Sequence, residues 1–177
     1  PKEKILNLKL KNAQLTFLGY GDQRIHIGGL IGNEFIITIR NLDKKIEKTV
    51  DKIKNYFDDQ RFGINNNNHL IGKVLIQKDF KKVCELLDLK PNGNNFIGAL
   101  RTINKKQLLF YIHAYNSYLF NHALDKINKS HEKIPIIGFL TEFKNQEIKN
   151  IYEDILKQEG ITSKDFIIKQ IPELSLE

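Results

Sequence analysis

The chain has 177 residues, a formal net charge of +7 and a pI near 9.3. That length holds one ordinary domain or two small ones, and it buries a core without staples. Cys84 is the only cysteine, which excludes an internal disulfide and a cysteine-based metal site and points to a reducing, cytoplasmic setting. His26, His69, His113, His122 and His131 show neither HxxxH nor HxH spacing, so zinc is not expected. No apolar run approaches a membrane span, and the charged, polar start does not read as a signal peptide. Excess cations point toward a polyanion, either nucleic acid or an anionic surface, although a composition rich in Lys, Asn and Ile reaches the same balance without function. The chain starts at Pro1 and contains no methionine, which at this length reads as part of something longer.

Residues 5–18 alternate irregularly and predict two short strands. Phe35 to Arg40 has the period of a strand. Gly19, Gly21, Gly28, Gly29 and Gly32 precede it. A phosphate-cradling glycine loop opens a helix, whereas this cluster opens a strand, so the glycines read as turns and bulges. Asp43 then predicts a helix N-cap. Ile46, Val50, Ile53 and Phe57 form one apolar face, with the helix ending near Asn55. Asn65 to Asn68 reads as a mobile loop tip. Asp79 opens a second helix carrying Phe80, Val83, Cys84 and Leu87 on one face, and Lys90 to Asn95 (KPNGNN) breaks it. A long helix follows over 104–128, apolar on most sides and hence buried on several. His113 and His122 on it read as core or packing histidines rather than chemical ones. Ile134 to Phe139 predicts a buried strand or extended segment. Ile148, Ile151, Tyr152 and Ile155 define a further helix stopped by Gly160, and Ser163 caps a last short turn.

The stretch Lys54 to Asn68, KNYFDDQRFGINNNN, sets Tyr56, Phe57 and Phe62 among Gln60, Arg61 and two aspartates. Rings, an amide and a guanidinium in one loop suit a flat polar ligand, of which a nucleobase is the commonest. The competing reading is a helix C-terminus pinned into the core by its aromatics.

NYFDDQRFG (Asn55 to Gly63) resembles the NYFGxQRFG signature of the TruD family of tRNA pseudouridine synthases. IGGLIGNEFIITIR (Ile27 to Arg40) is similar to that family's GNrF strand, and HAYNSYLFN (His113 to Asn121) to its hAyQSylFN helix. Together the three span residues 27–121, in the family's order. The resemblance implies an enzyme that isomerises uridine to pseudouridine, at position 13 of tRNA in bacterial members, with no metal and no organic cofactor. It implies that Phe57 stacks on the flipped base and that Asn55 orients a nucleophilic aspartate. That aspartate belongs to a GxKD-type motif upstream of the GNrF strand, and the motif is absent here: Asp22 sits in YGDQR. The chain therefore resembles the middle of a synthase. Where the family commonly has glycine, this chain has Asp58, and Asn116 stands where it often has glutamine. A glycine at position 58 would indicate positive φ or a close approach of the backbone to something; Asp tolerates the left-handed region better than most residues, so the turn is expected to survive with a carboxylate at its rim.

On this reading the fold class is α/β (α+β). Residues 1–82 form part of a catalytic domain with a mixed sheet, and residues 83–177 part of a mainly helical insertion domain. Tyr56, Gln60, Arg61 and Phe62 are assigned to substrate binding or to shaping the loop; Arg61 either holds phosphate or pairs with Asp58 or Asp59. Arg40, Lys73 and Arg101, with Arg61, are assigned to RNA phosphate. The expected partner is tRNA, bound by a monomer with no membrane contact. The alternatives are a non-catalytic basic RNA-binding module and a structural interaction protein whose charge is a compositional accident.

Overall fold

The computed structural model describes residues 53–127 and 133–176 continuously and, before them, positions 11–12, 14–17, 19–22, 24, 26, 29, 32 and 34–44. The chain divides into two compact units, Pro1–Lys48 and Thr49–Glu177. In the second unit the helices are α1 (Asp59–Phe62), α2 (Asn68–Ile76), α3 (Phe80–Leu86), α4 (Phe96–Leu100), α5 (Lys105–Lys126) and α6 (Gln146–Glu159). Two 3-10 turns follow, Ser163–Phe166 and Pro172–Leu174.

The caps explain where these helices start and stop. Asp79, Asn95, Asn104 and Asn145 each accept a backbone N–H of the turn they precede, which satisfies donors a helix start otherwise leaves open. Gly160 ends α6 at φ 69°, the left-handed position that favours glycine. Around α5, Leu108, Tyr111, Ile112, Ala114, Tyr115, Leu119 and Ala123 are all buried. A helix apolar on so many sides belongs in the middle of its unit, and α2, α6 and the second 3-10 turn pack against it. Leu75, Ile76, Tyr152, Ile155, Phe166, Ile168 and Leu174 complete that core.

Helix α2 departs from the expected mobile tip. Asn66 takes a left-handed φ of 49°, which Asn tolerates; Asn67 is the N-cap and Asn68 lies in the first turn. Gly72 faces α5 so closely that a Cβ there would overlap the Tyr111 carbonyl and lie 2.9 Å from Tyr115 Cβ. A glycine inside the pattern lowers intrinsic helix propensity; here it sets how near two helices approach.

The expected mixed sheet is corrected: the regular structure of the described residues is helical, with no strand among them. Phe35–Arg40 keeps the alternation of a strand but lacks a partner chain to pair with among the described residues. Residues of both parities face outward, Phe35 at 76% and Ile36 at 95% exposure. Periodicity records which side chains could share a face; a strand also needs hydrogen bonds from a neighbour. The described part of 5–18, residues 11–12 and 14–17, likewise carries no strand.

Of the two readings of Ile134–Phe139, a strand is not formed, and residues 134–138 run as a segment that is neither helix nor strand. Its carbonyls are held by side chains: Tyr152 donates its hydroxyl to the Pro135 carbonyl at 2.7 Å and Asn116 donates Nδ2 to the Ile137 carbonyl at 2.7 Å. Most of the helix expected after Asp43 lies outside the described residues. Its end does not: Ile53 to Asp58 is non-helical, and a single turn, α1, begins at Asp59.

Candidate functional site

Residues 54–57 lie along the C-terminal half of α5. Lys54 donates Nζ to the Leu124 carbonyl at 2.7 Å, one of the last-turn carbonyls that have no helical partner and favour a cation. Tyr56 donates its hydroxyl to Asp125 Oδ1 at 2.7 Å; that bond first, then slight desolvation and the Asp125 charge, raises the phenol's pKa. Phe57 is held by its backbone: its N–H donates to Asn121 Oδ1 at 3.0 Å and its carbonyl accepts from Asn121 Nδ2 at 2.8 Å.

The Phe57 ring is half-buried. Phe120 meets it edge-on at 5.5 Å between centroids, a favourable quadrupolar arrangement. The Arg61 guanidinium sits 5.3 Å from the Phe57 centroid and 5.5 Å from that of Phe110, a double cation–π contact. His113, one turn on from Phe110, has its pKa lowered by desolvation first and by the Arg61 charge second. Both His113 and His122 are exposed on α5, so neither is a core histidine, although His122 packs at 4.2 Å against Tyr118.

Asp58 caps α1 with its side chain, accepting the Asp59 N–H at 2.8 Å. Its φ is −105°, so the left-handed turn considered for this position is not formed. The glycine-requiring position is Gly63, at φ 84° and ψ 165°, a region essentially confined to glycine. From there the chain leads into a ladder of rings. Phe62 meets His69 edge-on at 5.4 Å, and His69 stacks on Tyr118 at 4.8 Å. Behind the ladder, Glu159 accepts from Lys73 at 2.8 Å and from the Tyr115 hydroxyl at 3.1 Å. Burial first, and Glu159 second, push the Tyr115 phenol far up.

The structure thus brings Tyr56, Phe57 and Arg61 to α5, while Phe62 meets His69 of α2. Asn55 is exposed, and Gln60 lines an open cavity of about 610 Å³ with Asp59, Gly63, Ile64 and Asn66. Of the residues assigned to phosphate, Lys73 is engaged by Glu159, Arg101 is exposed after α4, and Arg40 is exposed in the first unit. Sequence reasoning did not single out Asn121, Phe110, Phe120 or Asp125. Part of their signal was there: Phe110, Asn121 and Asp125 fall on one face of a helical projection, and two of the three are polar. Among the described residues no cluster of three metal-ligating side chains occurs, and no helix is long and apolar enough to cross a membrane.

The family model for tRNA pseudouridine synthase D (TruD) matches residues 1–88. Proteins carrying that name are similar along most of the chain. That of Methanopyrus kandleri is 24% identical over 99% of this chain and 61% of its own length. That of Nanoarchaeum equitans is 27% identical over 86% of this chain and 58% of its own. A crystal structure from Methanosarcina mazei bearing the same name superposes with a TM-score of 0.59 at 18% identity, over 71% of this chain and 50% of that one. The chain therefore spans less than two thirds of the length of these relatives.

Proposed function

The chain belongs to the tRNA pseudouridine synthase D (TruD) family, and from that premise we propose that it is part of an enzyme that isomerises uridine to pseudouridine in tRNA. In that reaction the N1–C1′ bond breaks, the base turns, and C5 bonds to C1′. The C5 proton leaves, N1 gains one, and product and substrate have the same composition. A nucleophilic aspartate from a GxKD-type segment opens the sequence of steps, and Asn55 orients it: an amide donates a hydrogen bond without neutralising the carboxylate.

The observation that carries this reading is the seating of Phe57. Flipping a base out of folded RNA costs a few kcal/mol, and stacking on an aromatic ring returns roughly 1–3 kcal/mol. A stacking ring works when it is pre-placed, and Phe57 has both backbone groups tied to α5 and its ring in a T-shaped contact with Phe120. Arg61 rests against the same ring. A base entering on that face displaces the guanidinium, which is then free to take a phosphate bidentately.

The electrostatics support an RNA partner. Lys105 and Lys106 are exposed in the first turn of α5, where the helix dipole disfavours cations. Cations kept in an unfavourable place suit an anionic ligand. The uridine at position 13 is the proposed target.

The test is pseudouridine formation in tRNA by the chain extended upstream through an aspartate motif, with Phe57→Ala beside it. The reading expects modification by the parent and at least a tenfold loss in the variant, the ratio worth about 1.4 kcal/mol of stacking, with tRNA still bound. Equal rates would remove Phe57 from the chemistry. Binding without modification by any form would favour a non-catalytic RNA-binding module.

A further inference from the structure

We propose that Asn121 is a positioning residue for this reaction, setting the Phe57 ring through the backbone rather than touching substrate. The inference rests on the function proposed above. A side-chain amide has one acceptor and one donor side, and Asn121 spends both on a single residue 64 positions earlier: Oδ1 takes the Phe57 N–H at 3.0 Å and Nδ2 gives to the Phe57 carbonyl at 2.8 Å. The amide thereby does what a neighbouring strand does, pairing both main-chain groups of one residue. With the two peptide units flanking it held, Phe57 has little left to vary except its own side-chain torsions.

The neighbouring tethers fix what one clamp leaves free. Lys54 holds the Leu124 carbonyl and Tyr56 holds Asp125, so residues 54 and 56 are both anchored to the last turns of α5. Asn55 lies between them, is exposed, and has no side-chain bond to α5 among the described residues. A segment held at 54, 56 and 57 presents 55 and the ring of 57 from a rigid helix, the arrangement a site needs for placement within fractions of an ångström.

Asn121→Ala removes both bonds; Asn121→Asp retains the volume and the acceptor but loses the donor. Tyr152→Phe, which gives up a single part-buried bond to the Pro135 carbonyl, is the stability control. Amide hydrogen exchange at Phe57 is measured in the 177-residue chain, and kcat and KM for tRNA in the upstream-extended chain. We expect exchange at Phe57 to accelerate about tenfold or more in Asn121→Ala, as loss of one hydrogen bond allows. We expect kcat to fall by about a hundredfold, the scale of a 1 Å misplacement, with KM little changed. Asn121→Asp should lie between, and Tyr152→Phe should leave kcat and Phe57 exchange unaltered. Unchanged exchange at Phe57, or a kcat loss no greater than that of Tyr152→Phe, overturns the proposal. Should the parent form no pseudouridine, the functional reading fails by itself, and with it the catalytic part of this proposal, while exchange still decides whether the clamp exists.

Discussion

Gly72→Ala should destabilise the second unit, against the usual direction for that change. In an exposed helix interior, Gly→Ala gains about 1 kcal/mol from backbone entropy. At position 72 the new methyl would overlap the Tyr111 carbonyl and lie 2.9 Å from Tyr115 Cβ. The Tyr111 carbonyl is backbone inside α5, and the Tyr115 side chain is fully buried. Neither can swing aside, so α2 and α5 must separate along their shared core. Overpacking of that kind costs about 1–3 kcal/mol, and the helix gain offsets only part of it. Overlap with backbone rather than with a flexible side chain puts the cost near the top of that range, so the net loss is about 2 kcal/mol, which at a urea slope near 2 kcal/mol/M lowers the unfolding midpoint by roughly 1 M. Urea titration followed by far-UV circular dichroism reads this directly. A midpoint equal to or above that of the parent would refute the claim that Gly72 sets the α2–α5 distance.

Other expectations follow from the same contacts. His69 has its pKa lowered, by burial first, with Glu159 opposing and His122 adding to the effect. The unfolded chain therefore takes the proton first, and the stability this group contributes is complete above the ordinary value near 6.5 and falls as pH drops below it. His69→Phe, which keeps a ring between Phe62 and Tyr118, should flatten the decline of Tm from pH 7.5 to 5; an unaltered decline would exonerate His69. Burial raises Asp165, but hydrogen bonds from Lys78 and Thr162 outweigh it and hold the carboxyl below its ordinary range. Its contribution should persist at neutral pH and vanish as pH falls through the depressed value, so the Tm gap between parent and Asp165→Asn should close in acid. A gap independent of pH would contradict this. Arg61→Met should reduce the salt slope of tRNA binding by about one; an unchanged slope would leave Arg61 to the packing of Phe57 and Phe110 alone.

Helices α3 and α5 were legible because their starts carry Asp79 and Asn104 and their apolar positions recur, and α6 because Ile148, Ile151, Tyr152 and Ile155 recur at helical spacing before Gly160. Helix α2 was not. Its first turn hides in an asparagine run, and Gly72 lowers the intrinsic propensity of the segment while its role, a close approach to α5, shows only in the packing. The sheet was overread at Phe35–Arg40 because alternation says nothing about whether a partner strand lies alongside. In the site, the aromatic loop and the long helix were both recognised, yet not that the first is bound to the second. Contacts 64 to 70 residues apart, such as Phe57–Asn121 and Lys54–Leu124, leave no periodic trace in either segment. The conformation at Asp58 was misjudged because a residue type tolerated at positive φ is equally suited to capping a helix, and the cap was formed.

The central claim concerns uridine isomerisation by a protein of which this chain holds Asn55 and Phe57 but no GxKD segment. Tritium release from tRNA labelled at C5 of uridine tests it most directly, because forming the C5–C1′ bond expels that hydrogen. The account predicts release by the chain extended upstream through an aspartate motif and none by the 177 residues alone. Release by the 177-residue chain itself would place the nucleophile within it and contradict the account.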